Sequence, residues 1–257
     1  MIGFYVKKAF WDGWDNVLSL AAFNLGHVLI GGLSFFLPSI LKAESLVFML
    51  CILAGILGIS VWQAVIAFSM RKIADFEALG FRDSLSGFTK AWKPGLTLGA
   101  VMVIVFFSMI VGIPFYLSRG GFLGVILASL LFWTCMILLL AAQYFLPLVA
   151  RRGGGLRKNA KQALILLADN PGFSIFLLLY RLATILLSVL MAFLIPGLAG
   201  VALEEAEALK LRLKKYEWLE QNPGADRRNI PWDSLLEEEK ELLGKRTLKN
   251  MIFPWKD

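Results

Sequence analysis

Histidine occurs once in 257 residues and cysteine twice. That scarcity removes several chemistries at the outset. Cys51 and Cys135 both lie inside apolar runs, so no disulfide framework is implied, and neither has a partner at ligand spacing. A zinc site needs a richer His/Cys set. His27 has no carboxylate neighbour in its run to orient it as a base for a nucleophile. It reads either as a packing or hydrogen-bonding residue or as a ligand or proton relay. Acidic residues are nearly as sparse at first: residues 1–200 hold 7 of them against 15 basic ones. None of the 7 falls inside the long apolar runs, which leaves no carboxylate pair for proton or sodium coupling. The phosphate-loop pattern G-x-x-x-x-G-K-[ST] is also missing. No catalytic, metal or cofactor constellation is therefore expected.

What the chain does hold is apolar length. It is 58% hydrophobic and 18% charged, with a mean hydropathy of +0.70, against roughly 45–50% and about 25% in soluble domains. Five stretches reach the ~20 residues that cross a bilayer as a helix: about 17–41, 46–70, 95–117, 122–150 and 173–198. The expected fold is an all-α integral membrane protein of about five spans. A transmembrane bundle would occupy 1–200 and a charged helical tail 201–257.

Residues 3–16 mix Phe4, Phe10, Trp11 and Trp14 with charges, which suits the headgroup layer. Two further segments read as amphipathic interfacial helices. In 71–94, Phe81, Leu85, Phe88 and Trp92 fall at steps of four, three and four, on one helical face. In 156–168, Leu156, Ala160, Leu164 and Leu167 form a stripe. Before the second lies Arg151-Arg152-Gly-Gly-Gly-Leu-Arg157-Lys158, read as a flexible turn at the membrane surface. Positive charge concentrates in loops 71–94 and 151–170. The expected partner there is the anionic headgroup layer and not nucleic acid. The positive-inside rule puts both loops and the N-terminus in the cytoplasm. Five full spans would then leave the tail outside, unless Pro196-Gly197 breaks 173–203 into a re-entrant piece.

Three polar residues stand out within the spans. Arg181 lies ten residues beyond Pro171 with no acidic residue in any span core to neutralise it. It is either structural, with a snorkelling guanidinium, or a functional contact to an anionic headgroup or a partner. Gln63 lies eight residues before Arg71, and Gln143 eight before Arg151. Gly80-Phe-Arg82 likewise echoes Gly155-Leu-Arg157, and Pro94-Gly95 echoes Pro171-Gly172. Each unit reads as span, basic amphipathic helix, Pro-Gly, span, a possible parallel repeat of the kind found in some transporters.

The tail begins VALEEAEALKLRLKKYEWLE, acidic early and basic later, as a helix dipole prefers. Glu207 and Lys210 are spaced to interact along it. Pro-Trp occurs at 231–232 and 254–255. Trp232 and Trp255 are candidate anchors, for the protein's own surface or for a transporter or sensor partner.

Asn24 to Pro38, followed by IAFSMRKIADFEALGFRDSLSGFTKAWKPG at 66–95, resembles the YesL-like family, a domain of unknown function numbered 624. Asn24, Pro38, Ala67, Phe81, Phe88 and Trp92 occupy comparable places. The resemblance covers roughly residues 1–215, most closely 17–100. It implies a small multi-span protein of the bacterial cytoplasmic membrane, with an accessory role in carbohydrate uptake or use. The expected function is a non-enzymatic accessory or regulatory membrane protein; the alternative is a transporter or transporter subunit for a small solute.

Overall fold

A computed structural model describes residues 1–79, 81–227 and 229–246, with the side chains of 81–86 excepted. All regular structure among them is helical: α1 (Ile2–Asp15), α2 (Val17–Ile40), α3 (Ser45–Ala74), α4 (Phe81–Phe107), α5 (Ile113–Ser118), α6 (Gly121–Arg152), α7 (Leu156–Asp169), α8 (Pro171–Leu190), α9 (Gly197–Gln221), α10 (Trp232–Leu235) and α11 (Glu237–Leu243). Five helices are long and apolar enough to cross a membrane: Val17–Ile40, Ser45–Ala74, Gly87–Ser118, Gly121–Arg152 and Pro171–Leu190. The chain is thus a multi-pass all-α membrane protein.

The short connections at 41–44 and 119–120 make α2–α3 and α4/α5–α6 antiparallel neighbours. α3 and α6 consequently run the same way, and both finish in two basic residues, Arg71-Lys72 and Arg151-Arg152; this is the basic end of the bundle. At 1.5 Å per residue, the 30 residues of α3 and 32 of α6 extend about 45 and 48 Å, against about 30 Å of hydrocarbon. Their surplus explains why they divide into two environments. Leu46, Val47, Met49 and Leu50 on α3, and Phe122, Leu123 and Leu130 on α6, are exposed apolar surface for lipid. Toward the basic end, Ala64–Ala67, Met70 and Ile73 on α3 are buried against α2, α4, α6 and α9, and Tyr144–Ala150 on α6 against α3, α4, α7, α8 and α9.

The first expected interfacial helix is not separate. Residues 81–93 continue straight through Pro94 into the third span as α4. Pro94-Gly95 is a close contact and not a break: a Cβ on Gly95 would lie 2.5 Å from Val61 Cα. α4 presents Gly87, Ala91, Pro94 and Gly95 to the bundle, while Phe88 and Trp92 point outward. Lipid is as apolar as leucine, so close helix approach selects small residues and leaves the aromatic face outside. Phe81, Leu85 and Trp255 fall on side chains outside the described residues. Farther along, a widened π-type turn at Ser108–Gly112 precedes Pro114, absorbing the proline that cannot continue the α-helical ladder.

The fifth apolar stretch and the tail also differ from expectation. Asn170 ends α7, and Pro171 opens α8 at its first turn, where a missing N–H costs nothing. α8 stops at Leu190; after a turn at 191–196, α9 runs back antiparallel to it toward the basic end. Position 201 is no packing boundary. α9 is central: Val201–Leu209 are buried, against α1, α2, α3, α6 and α8. The N-terminal helix belongs to the same core, with Tyr5 fully buried among Phe173, Phe176 and Tyr180.

Candidate functional site at the basic end

The returning helix α9 brings its acidic residues among charges from distant elements. Lys8, fully buried on α1, has three acceptors for its ammonium: Asp12 Oδ2 at 2.5 Å, Glu207 Oε1 at 2.7 Å and the Ala74 carbonyl at 3.1 Å. Burial by itself would lower the Lys8 pKa, but the two carboxylates outweigh it and raise it, so the ammonium stays charged. Glu207, whose second oxygen has no partner, is pushed up by burial, against the pull of Lys8.

Two residues earlier on α9, Glu205 meets Arg181 Nη1 at 3.1 Å. The neutralising carboxylate that Arg181 lacks in the spans therefore comes from the expected tail. Arg181 remains part-exposed while Glu205 is buried. Glu204 accepts a 2.5 Å hydrogen bond from Thr184 of α8. Tyr5 Oη donates to the Glu204 carbonyl at 3.2 Å.

Asn24 of α2 holds the tip of the α8–α9 hairpin. Its Nδ2 donates to the carbonyls of Leu194 (2.9 Å) and Pro196 (2.6 Å), and its Oδ1 accepts from the first turn of α9 at Ala199 N (2.8 Å). Ala192 and Phe193 have φ of 49° and 61°, a left-handed conformation that side chains disfavour. The Asn24 bonds, and one from Gly197 N to Ser188 Oγ at 2.9 Å, fix that geometry.

The two echoed glutamines do the same job. Gln63 donates to the Leu198 carbonyl at 3.0 Å and Gln143 to the Ser174 carbonyl at 2.9 Å. Each ties its span to one arm of the hairpin. The arginines that follow them are reciprocal: Arg71 donates to the Ala150 carbonyl at 3.1 Å, while Arg151 donates to Asp75 at 2.7 Å. The ends of α3 and α6 thus clasp each other. The echo ends there, since Pro94 lies within a helix and Pro171 begins one.

His27 is buried beside the Gln63 side chain. It lines a lateral groove of about 390 Å³ with Asn24, Gly31, Phe35 and Phe193. Glu207 and Lys210 do not pair along α9. Lys210 instead reaches the Ala74 carbonyl at 2.7 Å, Asp75 at 3.5 Å and Glu239 of α11 at 3.1 Å, and Lys214 meets Glu239 at 3.0 Å. These bonds strap α10 and α11 across the basic end, with an Arg246–Asp15 ion pair beside them. Trp232 packs on the protein's own core, near Arg212. Arg152, by contrast, is exposed at the end of α6.

Lys8, Glu204, Glu205 and Glu207 were not singled out by sequence as a site. The available signal was GLAGVAL at 197–203, an apolar small-residue run directly abutting Glu204-Glu205, which marks a helix starting inside the protein. Among the described residues, no three His, Cys, Asp or Glu side chains group to hold a metal ion. No family model matches the chain, and no curated protein or solved structure matches it either.

Proposed function

We propose that this protein is a non-enzymatic accessory or regulatory membrane protein whose basic end is a docking platform. The observation that carries the reading is the double use of α9. Its first half closes the interior through Lys8 and Arg181, and its second half holds α10–α11 across the outside through Lys210 and Lys214. A load on the strap is thereby transmitted to the hairpin and the spans. The strap turns Glu237, Glu238, Glu241 and Leu242 outward, a surface suited to a basic, part-apolar region of a transporter or sensor. By the positive-inside rule this end lies in the cytoplasm. The YesL-like resemblance would set the protein in the bacterial cytoplasmic membrane beside carbohydrate uptake or use.

The test is tagged co-purification in mild detergent. A stoichiometric membrane partner, lost when Glu237, Glu238 and Glu241 are replaced by lysine, is the expected outcome. A chain that purifies alone and moves a solute across vesicles would overturn it. That second result would favour a transporter, for which the groove beside His27 is the one supporting feature.

A further inference from the structure

The basic residues of this end divide into two populations. Arg71, Arg151, Arg181, Lys8, Lys210 and Lys215 point into ion pairs. Lys90 and Lys93 on α4, and Arg157 and Lys161 on α7, are exposed, and no ion pair forms at any of them among the described residues. The two helices that carry these four also line one apolar feature. Between α4, α6 and α7 lies an apolar slot of about 120 Å³, lined by Thr97 and Val101 of α4, Ala142 and Phe145 of α6, and Ala160 and Leu164 of α7.

Helical spacing places the cations at the slot's mouth. On α4, Lys93 is one turn and Lys90 two turns toward the basic end from Thr97, and Lys90, Thr97 and Val101 share a stripe. On α7, Arg157 precedes Ala160 by three residues and Lys161 precedes Leu164 by three, on the exposed edge of the same face. α7 is also graded along its length: its basic residues fall at 157, 158 and 161, 163–168 is wholly apolar, and Asp169, paired with Lys215, closes it. Leu164 and Ile165 are exposed there, as is Leu96 on α4. Such a helix carries its basic start at headgroup level and turns the exposed part of its apolar stretch toward acyl chains.

We propose that the α4–α7 slot is a binding site for a single anionic phospholipid. One acyl chain lies against Ala160, Leu164 and Val101, and the phosphate is held by Lys90, Lys93, Arg157 and Lys161. Charge complementarity selects this occupant: a neutral lipid would leave four cations crowded at an apolar mouth, and a soluble anion would leave the slot empty. The inference rests on the reading that the basic end faces an anionic leaflet, and it sharpens a general surface attraction into a site with a defined chain position.

The test is quantitative mass spectrometry of lipids retained by the full chain, after reconstitution in equal phosphatidylglycerol and phosphatidylcholine and re-extraction in mild detergent. The wild type should retain about one phosphatidylglycerol in preference to phosphatidylcholine. Lys93→Ala with Arg157→Ala and Lys161→Ala should lower that preference about tenfold or more, given the attraction of each basic residue for an anionic surface. Ala160→Trp, which fills the slot but keeps every charge, should abolish retention of the tightly held lipid. Lys158→Ala, on the opposite face of α7, should change nothing. Circular dichroism confirms that each variant is folded. Equal retention by wild type and Ala160→Trp overturns the site while leaving the anionic-leaflet reading standing. Loss of preference in Lys158→Ala as large as in the triple variant would mean general surface attraction, and displacement by inorganic phosphate would mean a soluble-anion site; either result overturns the proposal.

Discussion

The two halves of α3 and α6 follow opposite rules although each helix is continuous. Away from the basic end, the helices are apolar and face outward, and their stability there comes from lipid and from small-residue contacts such as Gly55 against Ser34 and Gly124 against the Tyr116 carbonyl. At the basic end they are encased by protein, and the interior of that half is charged: Lys8, Asp12, Glu204, Glu205, Glu207 and Arg212 are all buried. The first half tolerates change because one apolar side chain replaces another against lipid. The second does not, because its buried charges depend on specific partners from distant elements, as Lys8 does on Asp12 and Glu207.

The largest effect should come from Lys8→Met. It strands Asp12 and Glu207 without their ammonium, a loss of about 3–5 kcal/mol for one member of a buried pair. In detergent the protein should melt far lower or fail to accumulate, and adding Glu207→Leu should recover much of the loss. A purely additive double variant would show that the pair is not coupled. Next is Asn24→Ala, which removes three hydrogen bonds from the hairpin tip and should cost about 2–3 kcal/mol at ~1 kcal/mol per bond. The 191–196 turn should then become cleavable in limited proteolysis.

The smallest effect is expected for Leu186→Ala, exposed on α8, within about 0.5 kcal/mol by the same melting assay.

The contrast also explains which parts were readable from sequence. Each span announces itself by apolar length alone, and the bounds agree to within a few residues except at the start of the third, where the helix runs through Pro94, and at the end of the fifth, expected at 198 and found at Leu190. The hairpin is only an alternative in the sequence: Pro196-Gly197 offers a break in 173–203, but the stretch is almost uniformly apolar apart from Arg181, so hydropathy does not choose between a return and a single crossing. The charged interior was hidden for a different reason: Lys8 and Glu207 are 199 positions apart, and no local spacing rule joins them. Glu207 with Lys210 looked like a surface pair because spacing was all that sequence offered. The Phe88–Trp92 stripe was located correctly on one face, and that face looks out toward the membrane. The glutamine echo proved the most informative local signal, since Gln63 and Gln143 mark the two points where spans hold the hairpin.

The central claim is that α8 and α9 form a hairpin, so that the N-terminus and the C-terminal segment share the basic end. Cysteine accessibility in intact cells tests it directly, in a background with Cys51 and Cys135 replaced. Single cysteines at Gly3→Cys, Asn222→Cys, Lys42→Cys and Arg119→Cys are labelled with a membrane-impermeant maleimide before and after permeabilisation. Gly3→Cys and Asn222→Cys should label together, only after permeabilisation, and Lys42→Cys and Arg119→Cys should label before it. Labelling of Asn222→Cys together with Lys42→Cys would mean that 171–203 crosses the membrane once without returning, which contradicts the hairpin and the charged interior built on it.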